Sequence, residues 1–383
     1  MRVPLAWRQL SAQPRRMLVA VAGAAFAVVL MFMQLGFREA MLTTAVRYHD
    51  RLDYELVLQS PKTIFIGLTH PFPERRLYQA LAVEGVESVT SVYLQQQHWE
   101  NPWQHTTRNV LVVGVDPERN VLHTPGLEGQ LHLVREQDVV LFDTGSRPEF
   151  GPVGERFEAG DEIVTEIGNR QVRVVGLYEI GSSFGIDGNV VTSELNFRRI
   201  FPFRDPGSID LGLIHLEAGA DPEVVRARLA SMLDDDVTVF TREGFRQREL
   251  DYWTSATPIG YVFGFGLVMG LVVGGIIVYQ ILFADVSDHI GDYATLKAIG
   301  YTNVAVSLVV LRQAVMLALL GFFPGLTLSM VMYGYASEAI RMPLEMSLDR
   351  VAGVFLLTLV MCSAAGLLAL NRLKAADPAE ILS

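Results

Sequence analysis

Residues 258–283 read PIGYVFGFGLVMGLVVGGIIVYQILF, a run with no charged side chain. About 20 consecutive apolar residues are needed for a helix to cross a bilayer's hydrocarbon core. This stretch is long enough, and it sets the reading of everything around it. Three comparable runs follow from it: residues 17–37 upstream (MLVAVAGAAFAVVLMFMQLGF), about 304–335 downstream with Arg312 as its one charge near the start, and 351–370 (VAGVFLLTLVMCSAAGLLAL). The first run is longer than a signal-peptide core and is followed by Phe37-Arg38-Glu39, so it is expected to stay as an anchor.

The low overall charge, 19% Asp, Glu, Lys and Arg, is therefore local: the spans are nearly charge-free and the rest is ordinary. Arg2, Arg8, Arg15 and Arg16 precede the first span, and Arg372 and Lys374 follow the last. By the positive-inside rule both termini are expected in the cytoplasm. Residues 38–257 then lie outside it. The short loops are poor witnesses, the inner one offering Lys297 and the outer one Arg341 and Arg350, so the orientation rests on the ends.

The expected organisation is a cytoplasmic segment 1–16, spans at 17–37, 258–283, 304–335 and 351–370, an extracytoplasmic α+β domain 38–257, a cytoplasmic helix within 284–303, an outer loop 336–350 and a tail 371–383. Within the large domain, 21 Lys/Arg face 34 Asp/Glu, so it carries more than the chain's whole net charge of −11. Nucleic-acid binding, which needs a basic face, is excluded on this balance.

Two parts of that domain read alike. Strand Tyr54–Leu58, a helix led by Pro73 and strand Val86–Val92 form one βαβ unit. Leu211–Leu216, a helix capped by Asp221 ahead of Pro222, and Val237–Phe240 form another. The halves, about 54–96 and 207–245, are expected to pair in one small sheet with both helices on one face. Between them, about 109–206, short strands suggest an inserted β-rich subdomain.

No chemistry is legible. The chain lacks G-x-x-x-x-G-K-[ST], H-E-x-x-H and G-x-S-x-G, and its eight histidines show no metal-ligand spacing. Asp234-Asp235-Asp236 reads as a solvated helix end. Cys362, the single cysteine, has no partner for a disulfide within the chain. The spans carry no mid-membrane carboxylate of the kind that marks proton or ion coupling. The chain is expected to be no enzyme, to bind no cofactor or metal, and to draw energy from another subunit.

Between the second and third spans, Val286, Ile290, Tyr293, Leu296 and Lys297 recur at three and four residues, with Asp285, Asp288 and Asp292 opposite. Gly300 is a natural stop. An interfacial helix lying on lipid usually bears Lys and Arg; this one bears aspartates, which suits a protein groove. Gly266, Gly270 and Gly274, spaced by four, permit close helix approach, either within a subunit or between two copies. Gly321, Pro324 and Gly325 predict a kink in the third span.

Tyr293-Ala294-Thr295-Leu296-Lys297-Ala298-Ile299-Gly300-Tyr301 resembles the signature loop of the MacB/FtsX-like permease superfamily. Ala376–Leu382, with Asp377 and Pro378, resembles its C-terminal motif, and Val113-Gly114-Val115-Asp116-Pro117 a turn of its external domain. The order of one span, external domain, three spans fits the same superfamily. Asp143-Thr144-Gly145-Ser146-Arg147-Pro148-Glu149-Phe150-Gly151 and Asp288-His289 are most similar to DevC-like permeases of cyanobacterial exporters, which, like this chain, lack a fused ATPase.

The resemblance implies a permease homodimer in the inner membrane on two copies of a separate ABC ATPase, which would carry the ATP and Mg. Residues Val286, Ile290, Tyr293, Leu296, Lys297, Ile299 and Gly300 would couple to it. ATP-driven movement would pass through the spans to the external domain, a mechanotransmission mechanism. A DevB-like membrane-fusion protein and a TolC-like outer-membrane channel would complete a tripartite exporter of a glycolipid or other hydrophobic substrate. Two alternatives share the fold: a lipoprotein-releasing permease, and an FtsX-like regulator of cell-wall hydrolases.

Overall fold

The computed structural model describes residues 14–291, 295, 299, 300 and 302–375. The chain divides into two compact units: residues 1–40, 259–339 and 343–383 in one, and 41–258 with 340–342 in the other.

Four helices long and apolar enough to span a membrane occur among the described residues. In chain order, the first, α1, is Pro14–Ala45, and the other three, numbered below, are Pro258–Asp288, Asn303–Ile340 and Leu348–Ala375. Each outruns its apolar run in sequence. The 18-residue apolar window of α1 is 44% buried, against 22% for that of Pro258–Asp288, so α1 is the inner helix of its unit. Small residues make that possible, because in lipid helices associate by close packing, with little hydrophobic drive. Ala20, Ala24 and Ala27 of α1 are fully buried. A Cβ on Gly321 would overlap Ala24, and one on Gly325 would meet Val28. At Gly321-Pro324-Gly325, where a kink is expected, Asn303–Ile340 runs through Pro324 as one helix. The two glycines serve the contact with α1.

The second unit contains, in order, helix α2 (Arg47–Arg51), strands β1 (Leu56–Gln59) and β2 (Phe72–Pro73), α3 (Arg75–Leu81), β3 (Val86–Glu100), β4 (Thr107–Val115), β5 (Val139–Asp143), α4 (Val153–Glu158), β6 (Val164–Ile167), β7 (Arg170–Tyr178), β8 (Asn189–Ser193), α5 (Glu194–Ile200), β9 (Ser208–Ile209), β10 (Leu211–Leu216), α6 (Pro222–Met232), β11 (Thr238–Thr241) and α7 (Arg242–Asp251). The spans after α1 are then α8 (Pro258–Asp288), α9 (Asn303–Ile340) and α10 (Leu348–Ala375).

Nine strands form one mixed sheet in the order β11-β1-β10-β3-β4-β8-β5-β7-β6. At one end the strands of the two βαβ units alternate, antiparallel throughout: β1 lies between β11 and β10, and β10 pairs with β3. Helices α3 and α6 cover the same face, where Leu77, Ala80, Val225 and Leu229 join Leu56, Leu58 and Ile214 in one core. Asp221 caps α6 by accepting from Glu223 N at 2.9 Å, with Pro222 in the first turn; such caps are worth about 1 kcal/mol.

The residues between the halves do not form a separate sheet. β3 runs on to Glu100, eight residues past the expected end, and β4 pairs along that extension from Tyr93↔Gly114 to Glu100↔Thr107. The remaining strands add beyond β4. Alternate residues feed cores on opposite faces: Val140 and Phe142 of β5 enter one, Val139 and Leu141 the other. With both faces covered, such strands read as unbroken apolar runs.

Two further expectations are corrected. Pro73 does not start a helix; it belongs to β2, which pairs with β9, and α3 begins at Arg75 after Glu74. Asp234 and Asp236 are not merely solvated: both bind the nearly buried Arg76 guanidinium, Asp236 at 2.9 Å.

Candidate coupling surface

Helix α8 continues past the apolar run because Asp285 and Val286 find partners inside the bundle. Val286 packs with Val310 of α9 and Leu370 of α10. Asp285 is 9% exposed and accepts a 2.8 Å hydrogen bond from Gln313 Nε2, itself fully buried. One helical turn on, His289 Nδ1 lies 2.9 Å from the Asp285 carbonyl oxygen. Arg16 of α1 forms an ion pair with Asp288. A water-sized cavity of about 20 Å³ lies beside Arg16, Met17 and Asp285. A buried carboxylate needs such partners, since an unpaired one costs several kcal/mol.

This cluster is the root of the segment read as a coupling helix. It fastens that segment to α1, α9 and α10 at once. A push on residues 285–289 therefore reaches three helices through defined contacts: Arg16–Asp288, Gln313–Asp285 and the Val286–Val310–Leu370 packing.

The expected coupling residues separate. Val286 belongs to the bundle interior at 1% exposure, so it is no part of a free apolar face. Asp285 likewise sits inside, where periodicity placed it on the polar side. Ile290 is half-buried, Ile299 is 71% exposed, and Gly300 adopts φ +101°, the left-handed value of a helix stop. Tyr293, Leu296, Lys297, Asp377 and Pro378 lie outside the described residues.

The glycine stripe of α8 faces α1 of the same chain. A Cβ on Gly266 would overlap the Gln34 side chain, one on Gly270 would lie 3.3 Å from Leu30 Cβ, and one on Gly274 would overlap Ala27. Between copies and within one subunit were both open from spacing; the contacts are within the subunit.

At the opposite end of these helices lies a cluster that the sequence reading missed. The Arg350 guanidinium of α10, 5% exposed, pairs with Glu39 of α1, donates to the Glu345 carbonyl at 2.6 Å and reaches Tyr333 Oη of α9 at 3.2 Å. Tyr333 Oη in turn donates to the Phe32 carbonyl. Arg350 had been counted as a loop charge. Its place immediately before the apolar run 351–370 is the available signal, because a cation at the end of a span needs a partner.

In the α+β unit the Asp143–Gly151 motif is structural. Asp143 is fully buried and accepts from the backbone N–H of Gly145, Ile180 and Gly181 and from Asn189 Nδ2 at 2.7–3.0 Å. Burial raises its pKa, opposed by those four donors. Arg147 and Arg108 both pair with Asp187, and Gly151 at φ +96° lies against the Trp103 ring, where no side chain would fit. Among the described residues no group of three or more His, Cys, Asp or Glu could hold a metal ion.

Residues 264–378 match the family described as FtsX-like permease C-terminal. That stretch covers nearly all of α8, the loop after it, α9 and α10. Solved structures similar to this chain include the periplasmic region of MacB from Actinobacillus actinomycetemcomitans (11% identity, 50% of this chain and 90% of that one, TM-score 0.34). Others are the extracellular domain of the noncanonic ABC-type transporter YknZ from Gram-positive bacteria (12%, 49% and 99%, 0.33) and a domain of a putative permease protein from Porphyromonas gingivalis (13%, 51% and 93%, 0.29). No match was found among curated proteins. The family match is the comparison on which the functional reading rests.

Proposed function

We propose that this chain is the permease subunit of an ABC-type export system in the inner membrane, with both termini cytoplasmic and the α+β unit outside. The observation that carries this reading is the FtsX-like permease match over residues 264–378, which contains the loop root described above. The 383 residues contain no phosphate-binding loop, and in this reading the ATPase is a separate chain. Residues 285–300 are its docking segment, with Leu296, Lys297 and Ile299 as contacts. Movement of the segment is carried by Asp285–Gln313 and Arg16–Asp288 into α9 and α1.

The finer reading is a homodimer working by mechanotransmission, with a DevB-like fusion protein and a TolC-like channel as partners and a glycolipid or other hydrophobic molecule as cargo. The similarity of Asp143–Gly151 and Asp288-His289 to DevC-like permeases supports it. With the glycine stripe packed on α1 of the same chain, the dimer surface is sought on the exposed apolar side of α8, at Tyr261, Phe265, Val268 and Val272.

The test is site-specific photocrosslinking from position 299 in membranes of the native host. A covalent adduct with an ABC ATPase supports the reading. An adduct with lipid alone, and none with an ATPase, overturns the docking assignment.

A further inference from the structure

The chain enters the α+β unit through α2 and leaves it through α7, and these two helices pack together at a buried histidine–glutamate pair. His49 of α2 is fully buried and stacks on the Phe245 ring of α7 at 4.2 Å. Neither of its ring nitrogens has a hydrogen-bond partner. Its Nε2 faces Glu249 Oε2 at 3.7 Å, and Glu249 is 4% exposed. Glu249 accepts from the Ile66 backbone N–H at 3.1 Å and from Trp253 Nε1 at 3.0 Å. Trp253 and Tyr252 pack on Phe65, so the carboxylate also holds the 60–68 loop.

Buried imidazoles are normally paired, and a carboxyl beside an unpaired ring nitrogen in an apolar site is a place for a shared proton. We propose that His49 and Glu249 form a proton-binding pair that locks α2 to α7, and that loss of this one proton loosens the contact and the 60–68 loop. With the proton present the pair is neutral, and a small approach from 3.7 Å would let Glu249 Oε2–H donate to His49 Nε2. Without it, a carboxylate is left in a dry site with two donors and a neutral ring.

The charged neighbours fix the sign. Burial, with the charges of Arg246 and Arg248 on α7 adding to it, pushes His49 down to about 3, so the ring does not carry the charge near neutrality. Burial pushes Glu249 up to about 7, against Trp253, the Ile66 amide and Arg248. On α2, Asp50 is engaged by Arg246 at 3.2 Å and Arg47 donates to the Ile180 carbonyl. Lys62 of the 60–68 loop is the remaining titratable group there. A carboxyl with a raised folded pKa stabilises the locked form at low pH, and that stability is lost as pH rises through about 7. The proposal is independent of the export reading.

The test uses the full chain in detergent or nanodiscs. Infrared difference spectra between about pH 6 and about pH 8 should show a protonated-carboxyl band titrating near the Glu249 value, absent in Glu249→Gln. Hydrogen exchange over residues 47–54, 60–68 and 245–253, corrected for intrinsic rates, should lose about tenfold protection across the same range, one tenfold per pH unit for a single proton. Glu249→Gln, neutral at every pH, should keep protection flat. A wild-type chain with no such band and no pH-dependent protection overturns the proposal, as does a transition that persists unchanged in Glu249→Gln. Should that variant misfold, the wild-type band and exchange profile decide by themselves.

Discussion

Gly274 of α8 lies against Ala27 of α1 with no room for a Cβ between them. The spacing of the glycine stripe leaves packing within a subunit and between copies both open, and this contact makes the stripe the seat of α1 within the bundle. Gly274→Leu is expected to cost about 1–3 kcal/mol through overpacking, seen as a lower thermal midpoint in detergent. Gly264→Leu, where a Cβ meets nothing within 4 Å, is expected to be silent. For Gly270→Leu the loss should likewise fall on bundle stability and not on oligomer mass. Equal midpoints for the 264 and 274 variants would contradict the packing assignment.

The Glu39–Arg350 pair ties α1 to α10. Removing Glu39 leaves a guanidinium that is 5% exposed with neutral acceptors in place of a carboxylate. Glu39 is 57% exposed, which discounts its share for screening. A double-mutant cycle over Glu39→Gln and Arg350→Met should give a coupling of about 1 kcal/mol. Strict additivity would mean that the pair is incidental.

Asp143 orders the Ile180–Gly181 turn and Asn189. Asp143→Ala strands four donors, each about 1–3 kcal/mol when buried and unmet. Hydrogen exchange over residues 178–190 should accelerate sharply, and Asp143→Asn, which keeps an acceptor oxygen, should be milder. Wild-type protection in Asp143→Ala would contradict this.

Asp138 receives both Arg170 and Arg199 at 2.9 Å. The Arg170 hydrogen bond, then that of Arg199, holds the carboxyl well below its usual 3.8, against the opposing effect of burial. A depressed folded pKa stabilises above the unfolded value, and that stability is lost as pH falls through the folded one. Asp138→Asn should therefore lower the midpoint by a few degrees at neutral pH, as about 1 kcal/mol does in a domain of this size. The gap should close as pH falls below the ordinary carboxylate range. A gap that widens on acidification would contradict the assignment.

The sequence made much of this legible, for physical reasons. Charge-free runs have few outcomes other than a span, so all four helices could be read. The Asp221-Pro222 start is local chemistry and sits as read. Pro73 misled because a proline suits an edge strand as well as a helix start. The continuous sheet was hidden because β3 lengthens through Gln95, Gln96 and Gln97, polar residues held in a strand by pairing with β4. Asp285 was misplaced because periodicity gives a helix face but not which neighbour covers it. Glu39–Arg350 and His49–Glu249 join residues about 200–310 positions apart, a separation that no local pattern spans.

The central claim is that residues 285–300 engage a separate ABC ATPase. It is tested most directly by purifying the tagged chain and its Leu296→Asp variant in mild detergent, then identifying co-purifying chains by mass spectrometry. The account predicts an ATPase bearing its own G-x-x-x-x-G-K-[ST] loop with the wild type and its loss, at equal membrane insertion, with the variant. An ATPase retained by the Leu296→Asp chain, or none recovered with either, would contradict it.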